Sequence, residues 1–269
     1  MSGRSNASGN SRFQRWMGKL SADERIRQAK DRADKLVGHT ATLFLMHEAN
    51  ALVVYSPKLS GQIPRSHAAH AFNQFQRSMH LFEIIRLCAL WDPPGTDRES
   101  IPTIVELFNE PALVDQIARD RHDRYANQEP ADLGSDPEFA AAYRETWKAD
   151  RIAAAQEAEQ RLRQRLGFVA EKAAKIATSP RLKAIRDFRD AYIAHNLTLP
   201  EPDMASEENV SRVRYGDETA LLKNTVAVAN ALHSGLNDTS FAWDESRQMA
   251  RRNAAALWEN CAFNVPGRS

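Results

Sequence analysis

EQRLRQRLGFVAEKAAKIATSPRLKAIRDFRDAYIAHN, residues 159–196, is the stretch whose reading decides the fold. Leu162, Leu166, Val169, Ala173 and Ile176 follow one another in steps of four and three, which lines them up as one apolar seam on a helix. Gly167 is a weak point in that helix. Ser179-Pro180 then pairs a capping hydroxyl with a proline at the first helical position, so one helix ends and another begins. The second helix is expected from Pro180 to about His195, with Pro200 and Pro202 in the loop beyond.

The same signals recur outward from this stretch. Asp136-Pro137 opens the long helix that carries the seam. Ser21-Ala22-Asp23-Glu24 reads as a capping box, and a helical pattern runs from there to about Tyr55, where Pro57, Gly61 and Pro64 end it. A further helix spans roughly Ser66 to Trp91, its face marked by Phe72, Phe75, Met79, Phe82 and Arg86. Its second half, Ile84 to Trp91, is apolar nearly all round and belongs at the centre of a bundle. Asp92-Pro93-Pro94-Gly95 stops it. Ser100 is expected to cap a short helix through Phe108, and Asn109 to Ser135 is charged and broken by Pro111, Pro130 and Gly134. Asp217 is expected to cap a helix with the seam Leu221/Leu222, Thr225, Val228/Ala229, Leu232 and Leu236, and a last helix carries Met249, Ala250, Leu257, Trp258 and Cys261.

No segment alternates as a half-buried strand does. The expected fold is all-α: one antiparallel helical bundle over residues 21–263, with a four-helix core, extra terminal helices and a charged helical insertion at 109–150. Residues 1–20, with Arg4, Arg12, Arg15 and Lys19 among Ser, Asn and Gly, read as a flexible basic tail.

Bulk charge excludes a general grip on nucleic acid. Lys and Arg total 36 against 35 Asp and Glu, a net charge of +1, so any such grip is local. The basic side chains comprise 27 arginines and nine lysines, a bias toward the residue that binds carboxylate and phosphate with two prongs. Cys88 and Cys261 are too few for a disulfide framework or a four-cysteine zinc site and are expected to be buried thiols. The N-terminal stretch lacks the apolar run of a signal peptide, and no stretch is apolar for long enough to span a bilayer. The cytoplasm follows by elimination.

Chemistry points to Arg189-Asp190-Ala191-Tyr192-Ile193-Ala194-His195, followed by Asn196. Arginine and histidine separated by four to six residues arise by chance in so arginine-rich a chain, and three such pairs occur: Arg32/His39, Arg65/His70 and Arg189/His195. Context sets the third apart, because it ends a capped helix, places Asp190 directly after the arginine and Ala194 before the histidine. A histidine shuttles protons near neutral pH, and an arginine braces negative charge on phosphorus. Asp190 is placed to orient either. The plainer reading is that His195 caps a helix C-terminus, where a cation is favoured, and that Arg189 pairs with Asp187 or Asp190 on a solvated face.

FRDAYIAHN, together with RLCALWDPPGTDRESIPTIVELF at residues 86–108, resembles HEPN proteins of the abortive-phage-infection, AbiU-like type, and the order of elements agrees over about residues 22–236. The resemblance implies an endoribonuclease that needs no metal or other cofactor, in phage defence or as a toxin. In it the ribose 2′-hydroxyl attacks the adjacent phosphate and leaves a 2′,3′-cyclic phosphate. It implies Arg189 and His195 as catalytic residues with Asp190 assisting, Glu83, Arg86, Arg186 and Asn196 as binding residues around them, RNA as substrate, and an antitoxin protein as a partner of a toxin. It also implies a homodimer: six residues apart on one helix, Arg189 and His195 point about 120° apart and roughly 9 Å along the axis, so a facing copy would complete the site. The alternative is a HEPN module that binds RNA, a nucleotide or a protein without cutting. Glu83, a carboxylate on a buried helix, is expected to pair with Arg86 or an arginine of the motif helix. His67, His70 and His80 lack a carboxylate at ligand spacing, and no metal site is expected there.

Overall fold

The computed structural model describes residues 11–63, 66–130, 137–190 and 216–265. Among them there are ten helices and no strand. These are α1 (residues 11–17), α2 (Ala22–Tyr55), α3 (Pro57–Gly61), α4 (His67–Ala89), α5 (Ile101–Phe108), α6 (Pro111–Ala126), α7 (Pro137–Ala177), α8 (Pro180–Phe188), α9 (Asp217–Leu236) and α10 (Trp243–Trp258). None is long and apolar enough to cross a membrane.

Local signals set the helix starts. The Glu24 amide donates to the Ser21 hydroxyl at 3.2 Å while the Ser21 amide donates to the Glu24 carboxylate at 2.8 Å, which completes the capping box of α2. At α8 the Leu182 amide donates to the Ser179 hydroxyl at 3.2 Å, ahead of Pro180. Two expected caps differ. Ser100 turns its hydroxyl to Thr103 at 2.8 Å and makes no cap bond. Asp217 is the first helical residue of α9, and the cap is Gly216, whose φ of +87° is reached at little cost without a Cβ.

Four long helices, α2, α4, α7 and α9, make the core of the bundle. Contacts between α2 and α4 run in opposite chain order, His47 to Glu83 and Asn50 to Met79, so the pair is antiparallel. The same holds for α2 and α9, joined by His233 to Asp34 and Asn237 to Lys30. The terminal α10 runs parallel to α2: Trp243 packs on Phe44, and Arg247 and Arg251 follow at Glu48. The seam residues read on α7 and α9 are all buried.

Several elements depart from the sequence reading. Residues 11–17, expected in a flexible tail, form a helix because Phe13 and Met17 have an apolar site to fill; both are buried in the main core. The segment after Asn109, expected to be broken, holds the regular helix α6, whose Leu113, Ile117 and Ala118 join the same core against α7. On α4 the aromatic face is not the buried one. Phe75 and Phe82 are 43% and 54% exposed, and Glu83, Ile84, Leu87 and Cys88 turn inward instead. On α10, Ala250 and Ala254 face inward while Met249 and Leu257 are exposed. Cys88 is buried and Cys261 half-buried, both as free thiols.

Trp91, just past α4, is fully buried, and its indole N–H donates to the Thr225 hydroxyl on α9 at 2.8 Å. Replacing Trp91 with Phe leaves a void and removes that bond, so Trp91→Phe should lower unfolding free energy by about 1–3 kcal/mol. Thr225→Val in that background should then cost less than in wild type. Urea unfolding of the four proteins checks both, and an unchanged midpoint for Trp91→Phe would refute the buried bond.

Candidate functional site

The C-terminal ends of α4 and α8 meet, and their meeting makes the candidate site. The N–H of Arg189 donates to the carbonyls of Ile185 and Arg186, and residues 189–190 continue α8 in a wider, π-type turn. From there Arg189 Nε donates to Asp190 Oδ1 at 2.8 Å and Nη1 donates to Asp92 Oδ1 at 3.2 Å. The guanidinium is a quarter exposed, so it sits at a surface opening and not in the core. Burial works against its charge, but the hydrogen bond it donates to Asp190 and the charges around it outweigh burial and hold its pKa above the ordinary value.

Arg186, one turn earlier, donates to the Trp91 carbonyl and so satisfies an acceptor left over at the end of α4. Burial pushes its pKa down. Cys88 lies beneath this cluster; burial pushes its thiol up to about 11 in spite of Arg189 and Arg186, so it is held as a neutral thiol.

Of the residues singled out in the sequence, the structure brings Arg186, Arg189 and Asp190 together with Asp92. Arg86 lies on the wall of a neighbouring cavity of about 220 Å3 that Asp92 also lines. His195 and Asn196 fall outside the described residues. Asp92 was missed as a site residue; the Asp-Pro stop after α4 was the signal that could have found it, since a helix end there exposes its side chain beside whatever packs on that end.

Glu83 belongs elsewhere. Its expected arginine partner is replaced by His47, whose Nδ1 lies 2.7 Å from Glu83 Oε1, and by Asn50, which donates to Oε2 at 2.5 Å. Glu83 is 1% exposed, and the three residues form a closed cluster between α2 and α4. It lies about 13 Å along the helix axis from Asp92, at 1.5 Å per residue, too far to join Arg189.

A family model described as AbiU2, a HEPN family, matches residues 28–257, most of the chain. No curated protein and no solved structure matches it.

The closed cluster has a pH signature. Burial disfavours charge on His47, but the hydrogen bond to Glu83 and the charges of Glu83, Glu48 and Glu218 outweigh burial and raise its pKa above 6.5. A raised folded-state pKa means that the native state holds the proton more tightly. The stabilisation is therefore full below pH 6.5 and is lost as pH rises through the raised value. Denaturant unfolding over a pH series should show wild type losing stability above pH 6.5 by a step that His47→Gln lacks; parallel curves for the two proteins would refute the pair.

Proposed function

The chain belongs to the AbiU2 family of HEPN proteins, and from that premise we propose that it is a metal-independent endoribonuclease of phage defence, acting as a toxin in the cytoplasm with Arg189 and His195 as its catalytic residues. The observation that carries this reading is the holding of Arg189. Two carboxylates take Nε and Nη1 and fix the plane of the guanidinium at the end of α8, and among the described residues Nη2 has no partner, which suits it to a phosphate oxygen. A positioned arginine stabilises the charge that builds on phosphorus as the 2′-oxygen attacks. His195 follows Arg189 within the motif and moves the proton.

A second copy of the chain completes the site in this reading. Phe75, Ser78, Phe82, Ile85 and Ala89 form one exposed stripe along α4, three of them large and apolar, and it runs toward Asp92 at the site's edge. Such a stripe supports a contact between copies that faces two sites to one another. A toxin of this kind is expected to be held in check by an antitoxin protein. The other reading is a HEPN module that binds RNA, a nucleotide or a protein without cutting. The carboxylates Asp92 and Asp190 favour it, because they neutralise Arg189 and weaken its pull on phosphate.

Cleavage decides between the two. RNA incubated with the protein should be cut in the presence of EDTA and leave 2′,3′-cyclic phosphate ends, while DNA and 2′-O-methylated RNA resist. His195→Ala should slow cutting by about 100-fold or more, the scale of a lost proton-transfer group. Arg189→Lys should slow it by about tenfold or more, since a point charge does not brace two oxygens. Full activity in His195→Ala, or activity that EDTA abolishes, would refute the mechanism.

The dimer has its own test. Light scattering should give twice the chain mass of 30.2 kDa, and Phe82→Asp should shift the protein toward monomer while it stays helical. A wild-type monomer at micromolar concentration would remove the composite site.

A further inference from the structure

The cavity beside Asp92 contains a histidine that the function above does not use. His39 reaches it from α2, and its Nε2 lies 2.6 Å from Glu99 Oε2 on the loop between α4 and α5. Lys35 donates to the other oxygen of the same carboxylate at 2.7 Å, and the two hydrogen bonds hold Glu99 below the ordinary carboxylate range. An ionised Glu99 accepts the Nε2 proton, and in the neutral imidazole this arrangement leaves Nδ1 of His39 with its lone pair. The imidazole is 39% exposed. Asp92, which holds Arg189, lines the same cavity, as do Arg86 and Arg98. Arg98 is occupied by the Pro93 carbonyl, whereas the Arg86 guanidinium makes no hydrogen bond with any other described side chain and remains available to an anion.

The loop that brings Glu99 here is firmly held. Arg32, buried on α2, donates to the carbonyls of Arg98 and Thr96 at 2.6 Å each and to that of Gly95 at 3.3 Å. Trp16 of α1 covers its guanidinium. The Arg32/His39 pair, one of three chance-level matches in the sequence, is thus divided in the structure: Arg32 fixes the loop, and His39 uses the carboxylate that the loop presents.

We propose that the His39–Glu99 dyad is a second proton-transfer group of the RNA-cleaving site, with Arg86 as the cation for the phosphate. This rests on the RNA-cleaving reading. Transesterification needs two proton movements, and one imidazole performs one at a time. As the 2′-oxygen bonds to phosphorus, the 2′-hydroxyl proton passes to Nδ1 of His39, and Glu99 stabilises the imidazolium. As the bond from phosphorus to the 5′-oxygen breaks, that oxygen takes its proton from the imidazolium of His195. Lys35 on its own helix, Arg86 from α4, and Asp92, Arg98 and Glu99 from the loop are the charged groups around His39.

Single-turnover cleavage by the full chain tests this, with ordinary RNA and with RNA whose 5′-bridging oxygen is sulfur, a leaving group that needs no proton. His39→Gln should be slower by about 100-fold on both substrates and should lose the rise of rate with pH. His195→Ala should be slow on ordinary RNA and recover on the sulfur substrate. Glu99→Gln should be about tenfold slower, because the imidazolium that forms loses its partner. Imidazole added to His39→Gly should restore part of the rate, which no purely structural role allows. His39→Gln within about threefold of wild type overturns the dyad and leaves the RNA-cleaving reading standing. Recovery of His39→Gln on the sulfur substrate overturns its role as base. A wild-type chain that cuts no RNA overturns the function and the dyad with it.

Discussion

Burying Trp91 obliges its indole N–H and its carbonyl to find partners inside the protein, and those partners tie three helices together. The indole N–H goes to Thr225 on α9, whose own hydroxyl donates to the Leu221 carbonyl, so neither of these two donors is stranded. The Trp91 carbonyl, one of the acceptors that the end of α4 leaves over, takes a hydrogen bond from Arg186 on α8. The next residue along the chain is Asp92, which holds Arg189 one turn further along α8. The position of Arg189 in the candidate site is therefore tied to the buried Trp91.

Arg186 is one of several arginines used this way. Arg25 donates to the carbonyls of Leu107 and Glu106 at the end of α5 and to the Glu110 carboxylate. Arg121 donates to the Gly235 carbonyl at the end of α9 and to Asp238. Arg32 gathers three carbonyls of the loop after α4. A planar fork with five donors closes several carbonyls at once, and a lysine at these positions would leave acceptors unmet. This accounts for part of the arginine bias without nucleic acid. It also sets these arginines apart from Arg189, whose side-chain hydrogen bonds among the described residues go to carboxylates.

The fold was legible because its signals are local. Ser21 with Glu24, Ser179 with Pro180, and the seams on α7 and α9 each speak within one or two turns, and each appears in the structure as read. The failures share a cause as well. Phe75 and Phe82 mark a face of α4 by their spacing, but spacing does not say which face meets a neighbour, and the buried side carries Glu83 instead. Its partner His47 lies 36 residues back along the chain. Likewise α6 looked broken because a single amphipathic stripe of Leu113, Ile117 and Ala118 sits among charges that face water. Of the site, Arg189 with Asp190 was readable from a local motif. Asp92 was readable only as a helix stop, and His39 with Glu99 not at all, because a pairing across 60 residues leaves no trace in spacing.

Those polar clusters inside the bundle answer a problem that apolar seams do not. Leucine seams let two helices slide by a turn at modest cost, since one apolar residue replaces another. A buried carboxylate does not tolerate the slide, because a shift of one turn, about 5.4 Å, leaves it charged and unpaired. Glu83, between His47 and Asn50, fixes α4 against α2 in this way. Glu48, 3% exposed and held by Arg247 and Arg251, fixes α10 against the same helix. The register of α4 on α2 has two consequences at the far end of the pair. It sets where α4 stops, and hence where Asp92 meets Arg189. It also sets which residues of α2 stand opposite the loop after α4, and His39 is one of them, with Arg32 and Lys35. A cluster more than two turns away thus places both Asp92 and His39, and it does so through backbone register and not through any contact with them.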